Sequence, residues 1–163
     1  MHDDPIAEAL REHVVERGDS FGMLVLRIYP STLRPVVARL KDEFGFDLFL
    51  DVTAIDYPAR APRFDVVYHL LSPRLKRRVR LKLAIGEPDP VVQSLTSLYG
   101  AARYMERETH EMYGIRFDGN DDLRPILLYE GFVGHPLRKD YPMEREQPIV
   151  PYRDQSGRST EGT

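Results

Sequence analysis

The chain has 163 residues, 42% hydrophobic and 30% charged, with 23 basic side chains against 26 acidic ones. That length suggests one soluble domain able to bury ~68–70% of its unfolded surface, and a net charge of -3 supplies no general pull towards nucleic acid or anionic lipid. Cysteine is absent, which excludes a disulfide framework, a thiolate nucleophile and cysteine ligation of zinc or an iron–sulfur cluster.

At the amino end, acidic residues stand where a secretory leader needs basic ones. Asp4 can cap a helix that Pro5 opens, with Ile6, Leu10 and Val14 on one face until Gly18 stops it. Met23 to Tyr29 is a short apolar run ending at Pro30 and reads as a buried strand. Ser31 then opens a second helix, whose stripe is Leu33, Val36, Val37, Leu40 and Phe44 before Gly45. Three further strands are expected at Leu48 to Ile55, Phe64 to Leu71 and Arg77 to Ile85. In the last, Val79, Leu81, Leu83 and Ile85 face one way and Arg78, Arg80 and Lys82 the other. Residues 91–113 look helical, with an interruption at Gly100.

This order predicts an α+β fold, a mainly antiparallel sheet with helices packed on one face, followed by an extended C-terminal docking segment. The expected division is an α+β domain over 1–114, an irregular partner-docking segment over 115–146 and an extended or disordered tail over 147–163. No stretch reaches the ~18–20 apolar residues of a membrane-spanning helix, so any membrane association is expected to be borrowed from a partner.

Residues 106–142 pack charge, glycine, proline and aromatics densely. Glu106, Glu108 and Glu111 lie within two helical turns, and Glu106 shares a face with His110. A metal site would use that geometry, but Tyr113 and Gly114 stand where the second histidine of an HExxH site belongs. The other reading is an ion pair, since Arg107 and Glu111 sit four apart. His135, in Gly134-His135-Pro136, suits either proton shuttling or a hydrogen bond that fixes a turn or a neighbouring subunit. Arg138, Lys139 and Asp140 could grip a partner's carboxylates or pin the loop to its own domain; the planar fork of Arg138 makes it the strongest interface candidate of the three. The basic strand face, Arg78, Arg80 and Lys82 with Arg74, Lys76 and Arg77 nearby, lacks the alternating aromatics of an RNA platform. A solvated face or an acidic protein partner fits it better.

Glu106-Arg107-Glu108, Glu111-Met112-Tyr113-Gly114-Ile115, Asp122-Leu123-Arg124 and the run Gly134-His135-Pro136-Leu137-Arg138-Lys139-Asp140-Tyr141-Pro142 together resemble the signature of the 30 kDa-type (C-type) subunit of respiratory NADH:quinone oxidoreductase (complex I). The close resemblance spans Tyr104 to Pro142, and a looser one through Phe64 to Leu71 extends over most of the chain. Where that family has His-Pro-Asp-Leu-Arg, Asn120-Asp121-Asp122-Leu123-Arg124 stands here; Tyr104 replaces a usual tryptophan and Glu111 a frequent aspartate.

The resemblance implies a non-catalytic, cofactor-free subunit of the peripheral arm, with FMN, iron–sulfur clusters and quinone carried by partner subunits. It also implies contacts with the quinone-pocket subunit and the terminal-cluster subunit, at the cytoplasmic side of the cell membrane. Glu106, Arg107, Glu108, Glu111, Arg124, His135, Arg138, Lys139 and Asp140 are then the expected interface or structural residues. The equivalent subunit of a membrane-bound hydrogenase or related dehydrogenase is the alternative within the family. A stand-alone metal-dependent hydrolase using Glu106, Glu108, His110 and His135 is the alternative outside it.

Overall fold

The computed structural model describes residues 4–148; the expected tail beyond 148 lies outside them. Asp4 does cap the first helix, accepting the Ile6 amide at 3.0 Å, but this helix, α1, ends after Pro5–Ala9. A single 3-10 turn over Arg11–His13 leads into strand β1, Val14–Ser20. The expected helix to Gly18 is therefore wrong beyond Ala9. Ile6 and Leu10 are buried as the stripe requires, whereas Val14 and Val15 are β-branched and join a hairpin with β2, Met23–Ile28. A ladder of interstrand hydrogen bonds outweighs the weak propensity of a short helix.

The next helix and the three strands after it lie close to where periodicity puts them. Helix α2, Leu33–Phe44, buries Leu33, Val36, Val37 and Leu40 completely and stops at Gly45 in the left-handed region. Strands β3 (Leu48–Asp56), β4 (Phe64–Ser72) and β5 (Arg77–Ile85) follow. The five strands pair in the order β1-β2-β5-β4-β3, antiparallel except for the central β2–β5 pair. One face supplies the core through Leu24, Leu26, Tyr68, Leu70, Leu81 and Leu83.

Residues 91–100 are not helical. Val91–Gln93 forms a short strand, β6, and helix α3 begins only at Ala102 and runs to Tyr113. Pro88 and Pro90 deny a helix its entry, and two β-branched valines instead pair in parallel with β7, Arg116–Asp118. Ile115 and Phe117 are fully buried, so the packed core runs past the end of α3. Helix α3 packs along β3 at the sheet edge, and Thr109 Oγ1 donates to the Val52 carbonyl at 2.8 Å. The β3 edge of the sheet is thereby covered by a helix. Beyond Asp118 the described chain consists of turns and irregular backbone.

Candidate functional site

Helix α3 is the anchor from which the motif is built. Glu106 is completely buried. It accepts the Leu95 amide at 2.8 Å, the Ser94 hydroxyl at 2.8 Å and the Asn120 amide group at 2.9 Å. Burial pushes its pKa up against the pull of those donors. Asn120, at the position where the resembled signature has histidine, thus ties the chain after β7 to the turn after β6. It also donates to the Arg103 carbonyl at 3.3 Å and accepts the Asp122 amide at 3.1 Å.

One turn on, Glu111 accepts three successive backbone amides. Those of Leu127 and Leu128 lie at 2.9 and 2.8 Å, and that of Ile126 at 3.3 Å from each carboxylate oxygen. Arg107 performs the opposite task. Its guanidinium donates to the carbonyls of Arg124 and Pro125, both at 2.9 Å, and lies 3.5 Å from Asp122. Acid and base on one helix face therefore hold the donors and acceptors of one irregular backbone run, which has no ladder of its own to satisfy them. Arg107 and Glu111 do not pair with each other; both engage backbone. Arg124 is exposed and forks onto Asp122 at 2.8 and 2.9 Å. Glu108 is exposed on the opposite side of the helix.

The second half of the motif folds back on the end of α3. His135 Nδ1 lies 2.8 Å from the Glu111 carbonyl, and burial lowers the pKa of the ring. Gly114 is required here twice over. Its φ is +73°, and a Cβ would sit 2.6 Å from His135 Nε2. Arg138 Nε donates to the Tyr113 carbonyl at 2.6 Å, and its guanidinium lies over the Phe64 ring at 5.2 Å. The backbone amide of Lys139 donates to Asp56 at 2.8 Å. Asp140 pairs with Arg63 at 3.0 Å.

Arg63 is the hub of this second cluster. It forks onto Asp56 at 2.6 and 2.7 Å and reaches Glu87 at 2.9 Å. The neighbouring arginine holds the Asp56 carboxyl below its usual range, and three carboxylates raise Arg63 well above its own. Asp56, Arg63 and Glu87 are not among the residues expected from the motif. A signal for them does exist in the sequence: Val52, Ala54 and Asp56 occupy the buried register of β3, so a carboxylate stands on the apolar face of a strand and needs a partner.

These clusters place most of the expected residues in one device. Glu106, Arg107, Glu111, His135, Arg138, the Lys139 amide and Asp140 all fasten residues 120–140 to the domain, while the Glu108 side chain faces solvent. Of the residues of the hydrolase alternative, His110 and His135 stand edge to face with ring centroids 6.4 Å apart, but Glu106 and Glu108 do not join them, and the described residues bring no three such ligands together. Glu106 engages Ser94, Leu95 and Asn120, and His110 Nδ1 lies 2.9 Å from the Ile115 carbonyl. With its polar backbone turned inward, the segment presents Ile126, Leu127, Tyr129, Val133 and Leu137 outward, exposed by 36–63%. Five exposed apolar side chains on a backbone held from within are suited to burial against another surface.

Residues 26–147 match the family model described as respiratory-chain NADH dehydrogenase, 30 Kd subunit. The C-type subunit of NADH-quinone oxidoreductase from Methylobacterium sp. (strain 4-46) is 48% identical over 142 residues, 86% of this chain and 66% of the relative. Its counterpart from Sinorhizobium medicae (strain WSM419) is 50% identical over 125 residues, 76% of this chain and 62% of the relative. The counterpart numbered 1 in Rhizobium meliloti (strain 1021) is 46% identical, with 85% and 69% covered. The chain thus spans about two thirds of the length of these curated relatives.

Among solved structures, a trypsin-resistant fragment of Nqo5 superposes with a TM-score of 0.63 at 31% identity, over 72% of this chain and 93% of that one. A chain of the membrane-bound sulfane sulfur reductase, an archaeal respiratory membrane complex, gives 0.74 at 25% identity over 92% and 94%. With the family model covering most of the domain and the whole bracing segment, the chain belongs to the family of the 30 kDa subunit of respiratory-chain NADH dehydrogenase, the C-type subunit of NADH-quinone oxidoreductase.

Proposed function

We propose that this chain is a structural, cofactor-free subunit of the peripheral arm of a proton-translocating NADH:quinone oxidoreductase. In this reading it braces the quinone-binding module, while FMN, iron–sulfur clusters and quinone reside in partner subunits. The observation that carries the reading is the inside-out chemistry of residues 120–140. Charged side chains are engaged with the segment's own backbone, and apolar side chains are left to meet a partner. The quinone-pocket and terminal-cluster subunits are the partners this surface would meet, at the cytoplasmic side of the membrane. No helix among the described residues is long and apolar enough to cross a membrane, so attachment runs through those partners.

Leu127→Glu tests this directly. The isolated chain should keep its stability within ~0.5 kcal/mol, because Leu127 is 63% exposed. The yield of assembled complex in native purification should fall several-fold. Equal yields would sink the docking role, and stoichiometric flavin, cluster or NADH oxidation in the isolated chain would sink the structural one. The likeness to the sulfane sulfur reductase complex supports a second reading, the equivalent subunit of a related membrane-bound complex such as a hydrogenase. The masses of the co-purifying subunits separate the two.

A further inference from the structure

The end of the sheet remote from Arg63 carries a different kind of surface. Because β2 and β5 run parallel, with Leu24 beside Val79, the β1–β2 turn and the β4–β5 turn lie side by side. Between them opens a groove of about 520 Å³, lined by Phe21, Leu71, Pro73, Lys76 and Arg78 among others. Arg74, Lys76, Arg78, Arg80 and Lys82 lie along this end and the adjoining open face, and among the described residues none of them pairs with a carboxylate. Arg74 donates to the Glu43 carbonyl, and Arg80 to His69 Nε2 at 2.8 Å. The carboxylates nearby are engaged elsewhere, Asp4 with Arg77 and Asp19 with the Gly22 amide. Lys76 and Arg78 line the groove itself, Arg74 stands beside it and Arg80 and Lys82 follow along β5, so a chain of net charge -3 carries a run of cations leading out of this end.

Phe21 is the second observation. Ser20 pairs with Met23, leaving Phe21-Gly22 as a two-residue turn with φ of +53° and +79°. Turns of this kind favour Asn-Gly, and a bulky side chain at positive φ strains the backbone. Phe21 is nevertheless there, and it is 107% exposed. It therefore serves neither the turn nor the core, and a residue that breaks a local rule without local gain marks a functional position.

We propose that this groove docks an acidic segment of another subunit, with Phe21 packing on an apolar side chain of that segment and the cations meeting its carboxylates. This rests on the chain being a subunit of an assembly and concerns a surface separate from residues 120–140. Charge complementarity selects the occupant. The side chains of residues 149–163 balance, Arg153 and Arg158 against Asp154 and Glu161, and so offer no acidic run to match these cations. The site is a shallow, open groove with a single aromatic in its lining, which fits a peptide segment better than a stack of bases.

The test uses the full chain, tagged and purified in its native complex. A zero-length carbodiimide should couple Lys76 or Lys82 to an aspartate or glutamate of a different subunit, read as a linked peptide by mass spectrometry. Phe21→Asn should hold or raise the Tm of the chain, because the turn is relieved, while cutting the yield of that link by about tenfold or more. Lys76→Glu with Arg78→Glu should abolish the link through Lys82 and make retention of that subunit salt-sensitive. A complex of normal composition with no such link, or with links only between copies of this chain, overturns the proposal. So does Phe21-dependent binding to phosphatidylserine vesicles in place of any linked subunit. If the tagged chain brings down no other subunit, it is the function proposed above that fails, and this surface with it.

Discussion

The two ends of one sheet treat arginine in opposite ways. Where β3, β4 and β5 meet the bracing segment, Arg63 is nearly enclosed and answers three carboxylates, Asp56, Glu87 and Asp140. Roughly 30 Å away, the length of a nine-residue strand, Lys76 and Arg78 stand exposed, and among the described residues no carboxylate pairs with them. The first cluster completes itself; the second is complete only with a partner. A neutralised, desolvated charge belongs to the architecture of its own chain, whereas an uncompensated one is available to another.

The contrast breaks most sharply at Arg63. Arg63→Ala would leave the buried Asp56 carboxylate without its guanidinium and Asp140 without its cation. A loss of ~3–5 kcal/mol is expected in denaturant unfolding, and a loss below ~1 kcal/mol would show that the cluster is not structural. Glu111→Ala comes next, at ~2 kcal/mol. Its signature is local: the amides of 126–128 should lose hydrogen-exchange protection while those of β4 and β5 keep theirs. Uniform protection after the change would mean that the segment is held by something other than Glu111.

Acidity sharpens the contrast further. Asp56 has a depressed pKa, so its contribution to stability is present above the unfolded value of about 3.9 and is lost as pH falls through the folded one. Glu106 has a raised pKa, so its contribution is complete below the unfolded value and declines as pH rises through the folded one. Glu106→Gln should therefore flatten the stability profile on the neutral side of pH ~4.5 and leave the acid limb set by Asp56 in place. An unchanged profile between mildly acidic and neutral pH would contradict a raised Glu106. The smallest effect belongs to the basic end. Lys76→Glu with Arg78→Glu should shift the stability of the isolated chain by less than ~0.5 kcal/mol, and a larger loss would mean that these cations do hold the fold.

Much of this arrangement is legible in the order of residues alone. The 3.6-residue stripe of α2, its glycine stop and the alternation of β5 can each be read there, because burial of one face dictates periodicity within a single element. The amino-terminal helix fails for a related reason. Ile6, Leu10 and Val14 fit a helical stripe, yet Val14 enters a strand whose partner, β2, is another segment of chain. Residues 91–93 fail in the same way, since their partner β7 lies more than twenty residues on. In the motif, the residue types and their role as braces can be read, but not their targets. Glu111 and Arg107 look like each other's partners at a spacing of four, and both turn to the backbone of residues 124–128.

The sequence by itself determined which residues are apolar, where most helices and strands can begin and end, and that residues 106–142 carry an unusual concentration of charge without a cysteine or the two-histidine spacing of an HExxH site. These are local properties, set by side-chain chemistry and backbone preference within a few residues. Only the tertiary structure decided which charges are consumed internally, because that depends on groups far apart in the chain, such as Asp56 and the Lys139 amide, being brought within hydrogen-bond distance. Desolvation then makes those meetings obligatory, and the charges left outside them define the surfaces that remain for partners.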